Sequence, residues 1–308
     1  MYTDHDIRIS RARKSLHGLS LGDAFGEQFF VSNAAARIEH RQTGRWPWPY
    51  TDDTEMAISI FDVLRQVGGI DQDLLAMKFG DRYHRNPDRG YGGTAHRILR
   101  AIAAGGNFRQ IAPNAFDGQG SMGNGSAMRI GPIGAFFSND TPAVIAEQAR
   151  LSSEVTHTHP EGVAGAIATA LAAAWAVRQS PVCEERWHTE LLDFVIEHTP
   201  DSLTRAGLHQ ARSLQPTCSI VTAAAVLGSG YKVTCPDTVP FSIWCASHTL
   251  HSFEESLWKT VAGEGDRDTT CAIVGSITIL SAPDETVPET WIAAREPLPA
   301  SIAQEGNV

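Results

Sequence analysis

Two short stretches of this sequence combine the residue types that bind hard metal ions. The first is Tyr50-Thr51-Asp52-Asp53-Thr54-Glu55 and the second is Gly265-Asp266-Arg267-Asp268-Thr269-Thr270. Each crowds carboxylates and hydroxyls into a few residues and then runs into a helical pattern. Met56, Ile60, Val63, Leu64 and Val67 follow the first; Ala272, Ile273, Ser276 and Leu280 follow the second. Threonine and aspartate are also good helix-start residues, because their oxygens accept from the unpaired N–H groups there. Taken singly, each stretch reads as a well-capped helix. Brought together, Asp52, Asp53, Asp266 and Asp268 would repel one another unless a cation neutralised them. Oxygen donors of this kind suit Mg²⁺ or Mn²⁺ and not Zn²⁺. An EF-hand loop starting at Asp266 fails, since Cys271 falls at the turn glycine and Ile277 at the bidentate glutamate. A zinc finger fails too: Cys183, Cys218, Cys235, Cys245 and Cys271 form no C-x-x-C pair.

The chain of 308 residues is long enough to bury a substantial core around such a site, and no linker divides it, so one domain over 1–308 is expected. Hydrophobic residues at 42% and charged residues at 19% are ordinary for a globular enzyme. A formal charge of −10 argues against nucleic acid or an anionic membrane as the main partner. Scattered, odd-numbered cysteines fit reduced thiols. The start, Met1 to Lys14, is polar and charged, unlike a signal peptide. The apolar run Gly162 to Val177 is shorter than a membrane span. The expectation is a soluble, cytoplasmic monomer.

Helical periods run through Ile9, Ala12, Leu16 and Leu19 to a helix end near Gly22–Gly26, and from about Thr54 to Val67 before Gly68-Gly69. Asp71 caps a further helix, and Gly90-Tyr91-Gly92-Gly93-Thr94 opens another that ends at Gly105-Gly106. Residues 107–125 lack a period. More helices are expected near 141–152, 161–178, 186–198, 202–213, 217–228 and 240–251, and after Asp268. The small residues of 161–178 permit close helix approach, which places that helix mid-bundle. Residues 283–308 hold four prolines; Trp291 and Ile292 are candidates to dock, and the last eight residues are expected to be loose. No sustained alternation appears, so the architecture is all-α.

Three further segments are candidates for ligand contact. Gly123-Asn124-Gly125-Ser126 offers backbone N–H groups at a turn, as phosphate-binding loops do, although a lone Gly-Asn-Gly is most often only a turn. Thr156-His157-Thr158-His159-Pro160 precedes the alanine-rich helix, with His159 expected to be exposed near the cap and His157 either packed or pointing into a cleft. Trp46, Trp48 and Tyr50 either stack on a ligand or pack under their own loop.

In order, Gly18 to Gly26, Tyr50 to Glu55, Gly90 to Thr94, Gly123 to Arg129, Thr156-His157 and Gly265 to Ile273 resemble the ADP-ribosylglycohydrolase family, which includes the hydrolase that reactivates ADP-ribosylated dinitrogenase reductase. The resemblance implies an all-α orthogonal bundle with two Mg²⁺ or Mn²⁺ ions in a central cleft. It implies metal ligands at Thr51, Asp52, Asp53, Asp266, Asp268 and Thr269, with Asp52 or Asp53 deprotonating a water. Gly92, Gly123, Asn124, Gly125, Ser126, Met128 and His157 would contact the substrate, an ADP-ribosylated protein or small ADP-ribose conjugate cleaved at C1″, with the Gly123–Ser126 loop on the pyrophosphate or neighbouring ribose and His157 lining the adenosine end. Several relatives carry a glutamate near the metals where Phe30 stands here; the nearest carboxylate is Glu27, which either takes over that role or faces water. Alternatives are a dimetal hydrolase of another ribosyl or nucleotide compound, and a non-catalytic ADP-ribose-binding module.

Overall fold

The computed structural model describes residues 3–179, 186–215 and 217–303. Helix α1 (Asp4–Glu27) begins at a reciprocal cap between Thr3 and Asp6, and the short α2 (Ala34–Glu39) follows. Helix α3 (Asp52–Val67) is capped by the Thr51 hydroxyl and stops at Gly68, whose φ of 73° suits a residue without Cβ. Asp71 caps α4 (Gln72–Arg85) through the Leu74 N–H, and α5 (Gly93–Ala103) starts after Gly92. The stretch without a period holds the single turns α6 (Phe108–Ile111) and α7 (Ala115–Gly118) and a 3₁₀ turn over Asn124–Ser126. Then come α8 (Gly131–Phe136), α9 (Pro142–Glu154), α10 (Pro160–Val177), α11 (Trp187–His198), α12 (Leu203–Ser213) and α13 (Ile220–Leu227). The chain continues through α14 (Cys235–Thr249), α15 (Phe253–Val261), α16 (Arg267–Thr278), α17 (Glu289–Ala294) and α18 (Ala300–Ala303). Among the described residues no strand forms; there are only two isolated bridges, Trp48 with Arg295 and Gly123 with Thr234. The fold is all-α.

Packing is organised by α1 against α16. Gly18, Gly22 and Gly26 recur every fourth residue and so share one helical face. A Cβ added to them would lie 2.3 Å from the Gly275 carbonyl oxygen, 2.0 Å from that of Cys271 and 2.2 Å from that of Arg267. The two helices therefore touch backbone to backbone. That is why α1 runs through Gly22 to Glu27 despite the intrinsic cost of glycine in a helix. At the bundle centre α10 packs against α8, α9, α11, α14 and α16. By length and composition it could cross a membrane, with a mean hydropathy of 1.3, but 83% of it is buried inside the bundle. Its small residues act as expected: a Cβ on Gly134 of α8 would meet the Ala170 oxygen at 2.0 Å, and one on Gly165 the Cys235 sulfur at 2.3 Å.

Several expectations need correction. Helix α15 has no counterpart among the expected elements, although Ser252 caps it by accepting from the Glu255 N–H. Helix α14 starts at Cys235, upstream of the expected 240, and carries Pro240 within it; Gly207 of α12 packs there, since a Cβ would lie 2.5 Å from the Pro240 Cγ. Trp291 docks, stacked at 4.5 Å on Phe25, whereas Ile292 points outward, 47% exposed. The expected loose tail starts inside α18, and residues 304–308 lie outside the described residues. Trp48 packs under its loop beside Phe25 and Trp291, Tyr50 lies under the Arg89 guanidinium at 4.5 Å, and Trp46 is exposed.

Gly22→Ala is expected to lower stability by about 1–3 kcal/mol or more, because no side chain can yield at the Cys271 carbonyl. Gly93→Ala, which meets nothing within 4 Å, serves as the control. Urea midpoints that fall equally in both variants contradict this account of the α1–α16 contact.

Candidate active site

The site is built from the α1 end outward. Asp23 is fully buried and accepts four hydrogen bonds: from the Thr51 N–H at 3.0 Å and hydroxyl at 2.9 Å, and from the Thr54 N–H at 3.1 Å and hydroxyl at 2.5 Å. The two N–H groups belong to the start of α3, which has no carbonyl partners for them. Asp23 is thus a cap supplied from another helix, and its negative charge sits at the favourable pole of α3. Because the Thr51 hydroxyl donates its proton to Asp23, its lone pairs are left for other partners.

The two acidic stretches meet at Asp53 and Thr269. The Thr269 hydroxyl lies 3.3 Å from both oxygens of the buried Asp53 carboxylate. Asp266 is held by a separate set of contacts. Its carboxylate accepts from the Asn124 amide at 2.7 Å, and that amide also donates to the Thr238 hydroxyl at 3.0 Å. Its N–H donates to the Ser229 carbonyl at 3.0 Å. At Gly230, with φ of 94°, a Cβ would come within 2.4 Å of the Asp266 Cβ. Asp52 donates its N–H to the Arg89 carbonyl at 2.7 Å and lies beside Gly90.

Like charges crowd this cleft. Burial, opposed by its four hydrogen bonds, lifts Asp23 to about 6. Burial and then Asp23 and Asp266 lift Asp52 to about 8, with the buried Arg129 pulling the other way. Burial and the neighbouring aspartates hold Asp53 and Asp268 well above the usual carboxylate range. Glu27 does not face water freely: it is half-buried, and burial, then Asp23 and Asp266, raise it as well. Phe30 is 48% exposed, with the Arg267 guanidinium 5.7 Å from its ring centre. Among the described residues, no three aspartate, glutamate, histidine or cysteine side chains form a set that could hold an ion as they stand. The donor chemistry nevertheless fits a hard cation. Every group offered is an oxygen, and the buried Asp268 Oδ1 has no hydrogen-bond partner.

Beside Asp266, the side chains of the Gly123–Ser126 turn are already engaged with other parts of the protein. Asn124 is committed to Asp266 and Thr238, and the Ser126 hydroxyl donates to the Gly162 carbonyl at 2.7 Å. What this turn can offer a ligand is backbone, chiefly the N–H groups at its start. The His157 ring covers it: a Cβ on Gly125 would lie 3.0 Å from Cε1 and 3.9 Å from the Met128 Cε. His157 is buried, and burial with the Arg129 charge pushes it down to about 3. His159 is not freely exposed but caps α10, its Nδ1 accepting from the Glu161 N–H. Gly92 precedes α5 with open space where a Cβ would stand, and Gly90 lies beside Asp52. Asp23, Thr54, Arg129 and the Gly228-Ser229-Gly230 turn received no role from the sequence. The acid of Gly22-Asp23-Ala24-Phe25-Gly26 and the Gly-Ser-Gly breaker were the available signals.

A family model described as ADP-ribosylglycohydrolase matches residues 4–305. The chain is 28% identical to the ADP-ribosylhydrolase ARH3 of Xenopus tropicalis over 94% of this chain and 91% of that protein. It is 26% identical to the human ADP-ribosylhydrolase ARH3 over 92% and 88%. A solved structure titled "ADP-ribosylglycohydrolase-related protein complex" superposes with a TM-score of 0.62 at 22% identity, covering 94% of this chain and 93% of that one, a likeness of fold.

The raised carboxyls have a consequence for stability that can be measured without substrate. Their folded forms hold protons that the unfolded chain has released, so their contribution is full below the unfolded value near 3.8 and is lost as pH rises through the folded values. The buried histidines act in the opposite sense, but only below about pH 6.5. In chelator, the unfolding free energy is therefore expected to fall between about pH 6.5 and 8, and Asp52→Asn to flatten that slope. A free energy that rises with pH over this window in the parent would contradict the assignment.

Proposed function

Because the chain belongs to the ADP-ribosylglycohydrolase family, a family of glycosyl hydrolases, we propose that it cleaves the C1″ bond between ADP-ribose and a protein side chain, arginine or serine, or a small conjugate. The observation that carries this reading is the contact of Thr269 with both oxygens of Asp53, which joins the two acidic stretches beside a glycine turn covered by His157. Two divalent ions, Mg²⁺ or Mn²⁺, would be held by Thr51, Asp52, Asp53, Asp266, Asp268 and Thr269, and would need these side chains to draw closer together. Bound there, such ions supply orientation of ribose hydroxyls and a more acidic water.

The remaining work falls to the chain's own residues. Asp52 or Asp53 accepts the proton of the attacking water, which requires that carboxyl to be ionised, a state that bound cations would restore against burial and the neighbouring acids. The ring of carboxylates favours the positive charge that develops on the ribose as the glycosidic bond lengthens. Backbone N–H groups of Gly125 and Ser126 hold the diphosphate, as a helix start holds an anion. Glu27, raised and half-buried on the cleft side, gives its proton to the departing group as the bond to C1″ breaks. Phe30, exposed beside Arg267, favours a second reading in which the acceptor differs from those of relatives with a glutamate there.

Release of ADP-ribose from a panel of arginine-, serine- and phosphate-linked conjugates tests the proposal and reads the acceptor. Asp53→Ala and Asp266→Ala are expected to abolish release and to remove the rise in melting temperature that Mg²⁺ or Mn²⁺ gives the parent. A parent that no divalent ion stabilises would remove the metal assignment. Tight binding of ADP-ribose with no turnover of any conjugate would convert the protein to a binding module.

Glu27→Gln is expected to lower kcat about 10²–10⁴-fold with little change in ligand affinity. Near-normal kcat in that variant would return proton transfer to Asp52 or Asp53.

A further inference from the structure

We propose that Arg129 and Thr156 are positioning residues that fix His157 as its Nε2–H tautomer, so that the ring donates a hydrogen bond to a diphosphate oxygen of a ligand at the Gly123–Gly125 turn. The ligand half of this inference rests on the reading of that turn as the diphosphate site.

The argument follows the direction of the hydrogen bonds. Arg129 is fully buried in α8's approach segment, its guanidinium 4.7 Å over the Phe79 ring. One of its nitrogens donates to the Ser152 carbonyl at 3.1 Å and to the Thr156 hydroxyl oxygen at 2.9 Å. An arginine only donates, so the Thr156 oxygen is an acceptor in that contact. The same hydroxyl lies 2.7 Å from His157 Nδ1, and Thr156 is itself buried. If Nδ1 carried the proton, the hydroxyl would accept twice and its own hydrogen would be left buried without a partner. The arrangement that satisfies every group runs one way: Arg129 donates to Thr156, Thr156 donates to Nδ1, and the ring proton stands on Nε2.

Nε2 has no hydrogen-bond partner among the described residues. It faces the turn, 3.2 Å from where a Cβ on Gly123 would stand and 3.1 Å from one on Gly125. The absence of side chains at those two positions leaves the nitrogen accessible to a ligand bound over the backbone. Burial and the nearby guanidinium keep the ring neutral through the physiological range, so it offers one directed N–H and not a diffuse charge. With the side chains of Asn124 and Ser126 committed inward, His157 is the side-chain donor that this turn lacks.

Nitrogen NMR of histidine-labelled, ligand-free protein reads the tautomer directly: Nδ1 is expected in the unprotonated range and Nε2 in the protonated one. A parent with Nδ1 protonated overturns the inference without any variant. Thr156→Val should populate the Nδ1–H tautomer and weaken ADP-ribose binding about two- to tenfold, in proportion to the Nε2–H fraction lost. Thr156→Ser should restore both the shifts and the parent affinity, which loss of packing alone would not predict. Adenosine, which has no diphosphate, should bind both variants as it binds the parent; an equal loss for adenosine would overturn the assignment of the donor to the diphosphate. A parent that binds no ADP-ribose overturns the functional reading and the ligand half together, while the tautomer remains decided by the ligand-free spectra.

Discussion

Asp23 is the constraint on which the rest of this site depends. It is an acid sealed from water, and what makes burying it tolerable is the start of α3, whose two unpaired N–H groups and two hydroxyls turn toward it. The geometry allows little latitude. Asp23 stands next to the glycine-lined face of α1, and that face is pressed on the backbone of α16, the helix that carries Asp268 and Thr269. One carboxylate thereby sets both the position of Thr51 to Asp53 and their distance from the second acidic stretch.

The same closeness creates an electrostatic conflict. A cleft with Asp23, Glu27, Asp52, Asp53, Asp266 and Asp268 around it is poorly solvated and predominantly acidic. A folded protein tolerates this only where other interactions hold the groups in place. Here those are the close α1–α16 contact and the aromatic block of Phe25, Trp48, Trp258 and Trp291 directly beneath the end of α1. Strain of this kind is relieved by positive charge from outside, and a site with that need is disposed to bind it.

Local chemistry was legible in the sequence; its long-range partners were not. Thr51 and Asp71 announce helix starts because a cap is a contact between near neighbours. The small residues of α10 announce a buried helix for a similar reason. Asp23 gives no such sign, since its partners lie on another helix and a lone aspartate in a helical period reads as a solvent-facing residue. The glycine-rich turn makes Asn124 a candidate ligand contact, but the pairing of its amide with Asp266 is one that no spacing rule reveals. Helix α15 was missed because its buried face mixes Phe253, Leu257 and Val261 with Ser256 and Thr260, which dilutes the apolar period.

The segment after α16 has a further bearing on how the molecule comes into being. Trp48 donates its N–H to the Ala294 carbonyl and accepts from the Glu296 N–H, Arg295 donates to the Ser20 hydroxyl, and Arg89 pairs with Glu296. The wall that leads into Thr51 is thus completed by residues far downstream in the sequence, as is the α1–α16 contact itself. A nascent chain can form α3 to α10 early, but it holds only one of the two acidic stretches until α16 has left the ribosome. Pairing across such a sequence separation is slow relative to local helix formation. The acid-rich cleft therefore depends on contacts that span most of the chain, and these follow local helix formation.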